Sequence, residues 1–223
     1  MSTAAAALTT STLDTGEPLV ASFKAPLLTR ILEDADPEQR HVVLDLGGPS
    51  DTLIERLGDS RPCRIEIADI VANGGIDTLN GLESLEEPDP TAIPALLPEG
   101  NSEPLDLVFL WDLPNYLRLS ALRALVDVIG KRAAPGCRLH MLITYSRREM
   151  PLAPGHYVPA DEGKMTQHLP SGETIAAPRY SPEDLGIAVG GFRYERGVLL
   201  SNGMQEFVYA WPTPKVADKP PAY

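Results

Sequence analysis

Cysteine is scarce in this chain. Its two thiols, Cys63 and Cys137, are too few for a disulfide scaffold, and no Cys/His spacing suited to a metal accompanies them. Both fall in or beside predicted strands, so buried, reduced thiols in a cytoplasmic chain are expected. No run of about 18 apolar residues occurs, which excludes a transmembrane helix. The first residues lack a basic stretch followed by an apolar core, so they do not read as a secretory signal. Basic residues are also in deficit: 19 Lys and Arg against 31 Asp and Glu give a net charge of −12, which repels phosphate backbones. General nucleic-acid binding and a membrane partner are therefore not expected. A small-molecule enzyme and a protein-binding module both suit this acidity. There is no internal repeat and no GxGxxG.

What is present centres on residues 41–51, HVVLDLGGPSD. Val42, Val43 and Leu44 form the short apolar run of a buried parallel strand. Asp45, Leu46, Gly47 and Gly48 follow at once, and residues 50–58 read as a short helix. Glycines there let backbone amides approach a ligand at a helix start; close packing alone would use them equally well. A second strand at 62–69 (PCRIEIAD) ends on Asp69, and 69 − 45 = 24 residues separate the two acids. That is close to the ~20-residue interval at which a nucleotide-binding unit places a ribose-binding carboxylate. Capping of the next turn is the alternative role.

The rest of the chain alternates. Residues 1–18 and 213–223 read as flexible ends around one domain at 19–212. A helix is expected over 22–34, with Pro26 in its first turn. A third strand is placed near 76–79. Residues 105–111 (LDLVFLW) are strongly strand-like, with Asp112 at the tip and Pro114 ending the pairing. Ser120 is a candidate cap for a helix running to about 133, closed by Lys131 and Arg132 in the last turn and then Pro135-Gly136. Residues 138–144 are another buried strand. Residues 145–180 read as a long polar loop, a lid or substrate loop. Ser181-Pro182-Glu183-Asp184 starts a helix, and two strands joined through Ser201-Asn202-Gly203 make a hairpin.

This order resembles the class I S-adenosylmethionine-dependent methyltransferases over roughly residues 23–211. VVLDLGGPSDTL is similar to the family's first motif, IEIADI to the second strand with its ribose-binding acid, and LDLVFLWDLPNYL to the fourth strand. AAPGCRLHML is similar to the turn and fifth strand, and YSPEDLGIAVGGF to the helix and turn before the last hairpin. The resemblance implies an α/β, Rossmann-like doubly wound fold. Its sheet would have seven strands, mostly parallel, with a terminal antiparallel hairpin. It further implies S-adenosylmethionine as cofactor. Asp45, Gly47 and Gly48 would line its methionine and ribose side, Asp69 would hold the ribose hydroxyls, and Ile70 would pack on adenine. Trp111 and Asp112 would lie beside the sulfonium; strand-end packing and turn capping are their structural alternatives.

The glycine turn departs from the family pattern. Pro49 and Asp51 stand where further glycines are usual; one offers no amide, the other adds a negative charge. The implied activity is methyl transfer to a small-molecule or protein acceptor. The alternative is a degenerate methyltransferase fold serving as a binding or scaffold module with a protein partner. A nicotinamide-dependent oxidoreductase is less consistent with the terminal hairpin. Catalytic residues are not assigned: His156, Tyr157 and His168 are expected to be exposed loop residues.

Overall fold

The computed structural model describes residues 19–34, 36, 38–60, 62–82, 91–98, 103–170 and 172–214. The chain begins with β1 (Leu19–Lys24), α1 (Pro26–Glu33), β2 (His41–Asp45), α2 (Asp51–Ser60), β3 (Cys63–Ile67) and α3 (Gly75–Gly81). Next come β4 (Leu105–Trp111), α4 (Leu119–Gly130) and β5 (Ala133–Thr144). The segment after β5 holds β6 (Glu149–Pro151), β7 (His156–Pro159), β8 (Lys164–Leu169) and β9 (Thr174–Ala176). The chain closes with α5 (Pro182–Ala188), β10 (Arg193–Leu199) and β11 (Met204–Ala210).

The main sheet runs β10-β11-β5-β4-β2-β3. β3, β2, β4 and β5 are parallel, and β11 and β10 add an antiparallel hairpin. The doubly wound, mostly parallel sheet and its terminal hairpin agree with the sequence. Among the described residues the sheet has six strands, not seven. The expected strand at 76–79 lies inside α3: Ile76, Leu79 and Leu82 recur every three residues and pack on one face of the core. Successive connections leave β2 for β3 on one side and return to β4 on the other, so the strand order reverses between β2 and β4. Open α/β sheets bind ligands in the crevice at the carboxyl ends of such strands.

Local chemistry explains other departures. The helix expected over 22–34 starts only at Pro26, because proline biases the preceding residue toward extended backbone; Ala25 has φ −118° and ψ 78°. Residues 19–24 instead pair as β1 with β8. Ser120 lies within α4, whose N-cap is Arg118, and the helix ends at Gly130. β5 starts at Ala133 and runs through Pro135-Gly136, with Gly136 at φ +82°. Lys131 and Arg132 therefore lie past the last turn they were expected to close, and the Arg132 guanidinium instead grips Glu66 at 2.9 and 3.1 Å. The expected helix start at Ser181 is present, and Ser181 and Asp184 form a capping box there. Neither cysteine is in a disulfide; Cys137 is buried, which pushes its pKa up, whereas Cys63, expected to be buried, is only half-buried. The expected flexible ends lie outside the described residues, apart from 213–214. No helix among the described residues is long and apolar enough to cross a membrane.

Residues 145–180, read from sequence as a long polar loop, contain four strands. β7 and β8 join β1 in a three-stranded antiparallel sheet, and β6 pairs with β9. Alternation along β8 sends Met165 and Gln167 inward, a period-2 signal that the surrounding polar residues conceal.

Glu206 of β11 ties α1 to the sheet. Its fully buried carboxylate accepts from Leu27 N at 3.0 Å and Leu28 N at 2.8 Å, and meets His140 Nε2 at 2.9 Å. It thus satisfies amides at a helix N-terminus that have no intrahelical partner. Removing one partner of a buried, bonded charge leaves the others unsatisfied. Glu206→Ala is expected to cost about 3–5 kcal/mol of unfolding free energy in urea denaturation.

Candidate functional site

The carboxyl ends of β2 and β4 meet where the strand order reverses. β2 delivers Asp45, then Leu46, Gly47 and Gly48; β4 delivers Trp111 and Asp112. The turn after β3 delivers Asp69 and Ile70. The structure thus brings the seven sequence candidates to one edge of the sheet, in unequal roles.

Asp69 stands against the glycine turn. Its Oδ1 caps the following turn by accepting from Ala72 N at 2.9 Å. Its Oδ2 lies where a Cβ on Gly48 would approach to 2.9 Å. Gly48 has φ +85°, so both its backbone and its neighbour require glycine. Ile70 is fully buried and packs into the core beneath the turn against Gly75. Asp51 has a local explanation. Ser50 Oγ caps α2 by accepting from Leu53 N at 3.3 Å, and Asp51 is an exposed first-turn acid, favourable toward the helix dipole.

The other side of the turn is filled from within. The Trp111 indole lies over Gly47, where any Cβ would collide with it. Trp111 Nε1 donates to Asp45 Oδ1 at 2.6 Å, and Gly47 N donates to the same oxygen at 2.9 Å. The indole sits between Phe109, 4.9 Å away at 18°, and Tyr157, 5.5 Å away at 6°. The His140 ring meets both Phe109 and Trp111 edge-on at 5.9 Å. Only 3% of Trp111 is exposed. Its backbone has φ +50°, a left-handed conformation that costs a bulky residue on the order of 1–3 kcal/mol and persists only where the surroundings enforce it.

Strands β7 and β8 close over this stack. Gly155 N donates to Asp112 Oδ2 at 3.1 Å, His156 Nε2 meets the Pro49 carbonyl at 3.0 Å, and Arg56 on α2 pairs with Asp161 at 2.7 Å. Tyr157, expected to be exposed, is 3% exposed and accepts from Gln167 Nε2 at 2.7 Å. His156 and His168 are half-buried, facing each other across β7 and β8 with ring centres 6.2 Å apart. The aromatic at 157 faces inward because it alternates with them. Asn115 was not singled out from sequence. Its amide donates to Asp112 O and Leu142 O and accepts from Thr144 N, fastening the tip of β4 to β5. Only its place in the buried turn after β4 distinguishes it from a surface asparagine.

Two buried acids stand out. Burial pushes Asp45 up to about 6, against the opposing bonds from Gly47 and Trp111 and the nearby His156; the Asp69 charge adds a little to the rise. Burial pushes Asp112 up to about 7, offset in part by the Gly155 amide and the Tyr157 hydroxyl beside it. The other carboxylate oxygen, Oδ1, has no hydrogen-bond partner. Groups of three or more His, Cys, Asp or Glu suited to a metal are absent among the described residues.

The resemblance would set the ribose of S-adenosylmethionine beside Asp69, whereas the Trp111 indole fills the space over Gly47, on the side the resemblance gives to methionine. The raised acids also set a pH dependence. A carboxyl that binds its proton more tightly when folded adds stability that is full below the unfolded value near 4 and is lost as pH rises through the folded value, here 6 to 7. Asp112→Asn is expected to flatten the fall in melting temperature between pH 5 and pH 8, measured by differential scanning calorimetry on both proteins.

No family model matches this chain, and no curated protein sequence matches it. Among solved structures, the chain is similar to the pyocyanin biosynthetic protein PhzM. The two share 19% identity and a TM-score of 0.46 over 82% of this chain and 53% of PhzM, about half its length. It is also similar to the N-methyltransferase NodS from Bradyrhizobium japonicum WM9 in complex with S-adenosyl-L-homocysteine, at 14% identity and a TM-score of 0.47, covering 84% and 85% of the two chains. An S-adenosylmethionine-dependent methyltransferase from Clostridium acetobutylicum shares 13% identity at a TM-score of 0.49, covering 84% of this chain and 89% of that one.

Proposed function

We propose that this chain binds S-adenosylmethionine in the crevice between β2 and β4 and transfers its methyl group to a small-molecule or protein acceptor. The observation that supports this most is Asp69 facing Gly48 beside the point of strand reversal. One carboxylate oxygen is held by the turn, which fixes the side chain, and the other points to the glycine. A carboxylate so oriented suits the paired hydroxyls of a ribose. Gly48 leaves the room this carboxylate takes, and Ile70 supports the turn from the core. Asp45, Gly47, Trp111 and Asp112 belong to the same site as its second half. Residues 145–180 would govern acceptor access as its lid.

A second reading is favoured by a specific observation. Trp111 over Gly47, together with Pro49 and Asp51, is what a degenerate fold would show if the cofactor side had been filled with the protein's own side chain. Such a chain would act as a non-catalytic binding or scaffold module, since a fold alone does not carry its activity.

Calorimetric titration with S-adenosylmethionine and S-adenosylhomocysteine separates the two. The enzyme reading expects binding of both, and an absence of binding at millimolar ligand supports the scaffold. Where binding is seen, Asp69→Ala is expected to weaken it by about 1.5–3 kcal/mol, the scale of a hydrogen bond to a charged group, with the melting temperature nearly unchanged. An affinity unchanged within about twofold assigns Asp69 to capping alone.

A further inference from the structure

We infer that Trp111 and the β7–β8 arm form an autoinhibitory plug over Gly47, so that cofactor entry and arm opening are a single event. The inference rests on the cofactor reading above and adds how the site is regulated.

The indole occupies the bare face of Gly47 and takes up Asp45 through its N–H. Two groups cannot share that face, so a ligand tail lying there must displace the ring. The ring has no free path. Phe109 covers one face, Tyr157 covers the other, and the His140 ring abuts its edge. Phe109 and His140 belong to central strands of the main sheet and are fully buried. Tyr157 belongs to the arm, so the arm is the wall that can move. β7 pairs with β8 over four residue pairs and β8 with β1 over six, which makes the arm a unit that carries Tyr157 with it.

The arm's attachments at the crevice rim include the Gly155 bond to Asp112, the Tyr157 hydroxyl against the same carboxyl, the His156 bond to Pro49 and the Arg56–Asp161 pair, whose Asp161 side chain is almost fully exposed. The Arg56–Asp161 pair and the His156 bond are exposed and contribute little, so release of the rim turns on the buried contacts of Gly155 and Tyr157 with Asp112. Trp111 itself is held at φ +50°, a backbone state that a tryptophan adopts only under constraint. The plug has a sign opposite to that of an ordinary lid, which gains order when the site is filled. Here the filled site and the packed arm exclude each other.

The test uses S-adenosylhomocysteine as probe on the full chain. Trp111 and Trp211 are the two tryptophans of the sequence, and Trp211 packs elsewhere, against Gly130, Gly191 and Phe192. In a Trp211→Phe background, fluorescence therefore reports Trp111 alone. Saturating probe is expected to shift the emission to longer wavelength and to speed amide hydrogen exchange across residues 155–169. Binding with unchanged emission and slower exchange there overturns the plug and leaves the cofactor reading standing. Trp111→Ala, checked for folding by circular dichroism, is expected to bind the probe at least tenfold more tightly than wild type, including the case where wild type shows no binding. An unchanged affinity in the folded variant overturns the plug. An absence of binding to both proteins overturns the cofactor reading, and the plug with it. Should the variant not fold, the exchange and emission signals on the Trp211→Phe protein decide alone.

Discussion

The hydrogen bond from Trp111 to Asp45 is the constraint on which this site depends. Asp45 ends β2, Trp111 ends β4, and the 2.6 Å contact joins the two strands at the point where strand order reverses. A buried carboxylate without partners is costly, and the indole N–H and the Gly47 amide supply them. In return, Asp45 fixes the ring flat over Gly47. The glycine follows from this, since any larger residue would strike the ring. So does the inward tyrosine of β7, which covers the exposed face of the stack.

Around that contact the molecule is layered. One apolar cluster lies between the sheet and helices α4 and α5, built from residues such as Leu110, Leu122, Leu125 and Leu185. The second joins α1, α2 and the β7–β8 arm to the other face through Val43, Leu57, Phe109, Trp111 and Met165. The crevice opens onto the second cluster, so the elements that shape the site are those most dependent on distant partners. Glu206 illustrates the dependence: a hairpin residue near the end of the chain orients a helix near its beginning.

The acids make the site sensitive to solvent. Asp45 and Asp112 are each buried at a strand tip, Asp45 held by the Gly47 amide and the Trp111 indole, Asp112 by the Gly155 amide and the Tyr157 hydroxyl. Bringing such groups out of water raises their affinity for protons, which couples the packing of the arm to pH through Gly155 and Tyr157. Asp69, one turn away and only half-buried, takes a different part: it reaches across the glycine turn.

Sequence alone determined the frame. The run VVLD, the acid-ended strand before Asp69, the strand LDLVFLW, the Ser181 capping box and the Asn-Gly hairpin each express a local preference strong enough to survive folding. Where preference was weak, neighbours decided. Residues 76–79 are short and could not announce helix over strand until Leu79 found the core. Residues 19–24 became a strand because β8 offered an edge, and residues 164–169 became a strand because β1 and β7 flanked them. The site divided the same way. Glycines and acids were legible because turn geometry and spacing restrict residue type. That Trp111 lies on Gly47, that Tyr157 covers it, and that Asn115 and Glu206 fasten the surroundings were tertiary outcomes. Each joins residues between 27 and 179 positions apart, a separation over which no local pattern carries information.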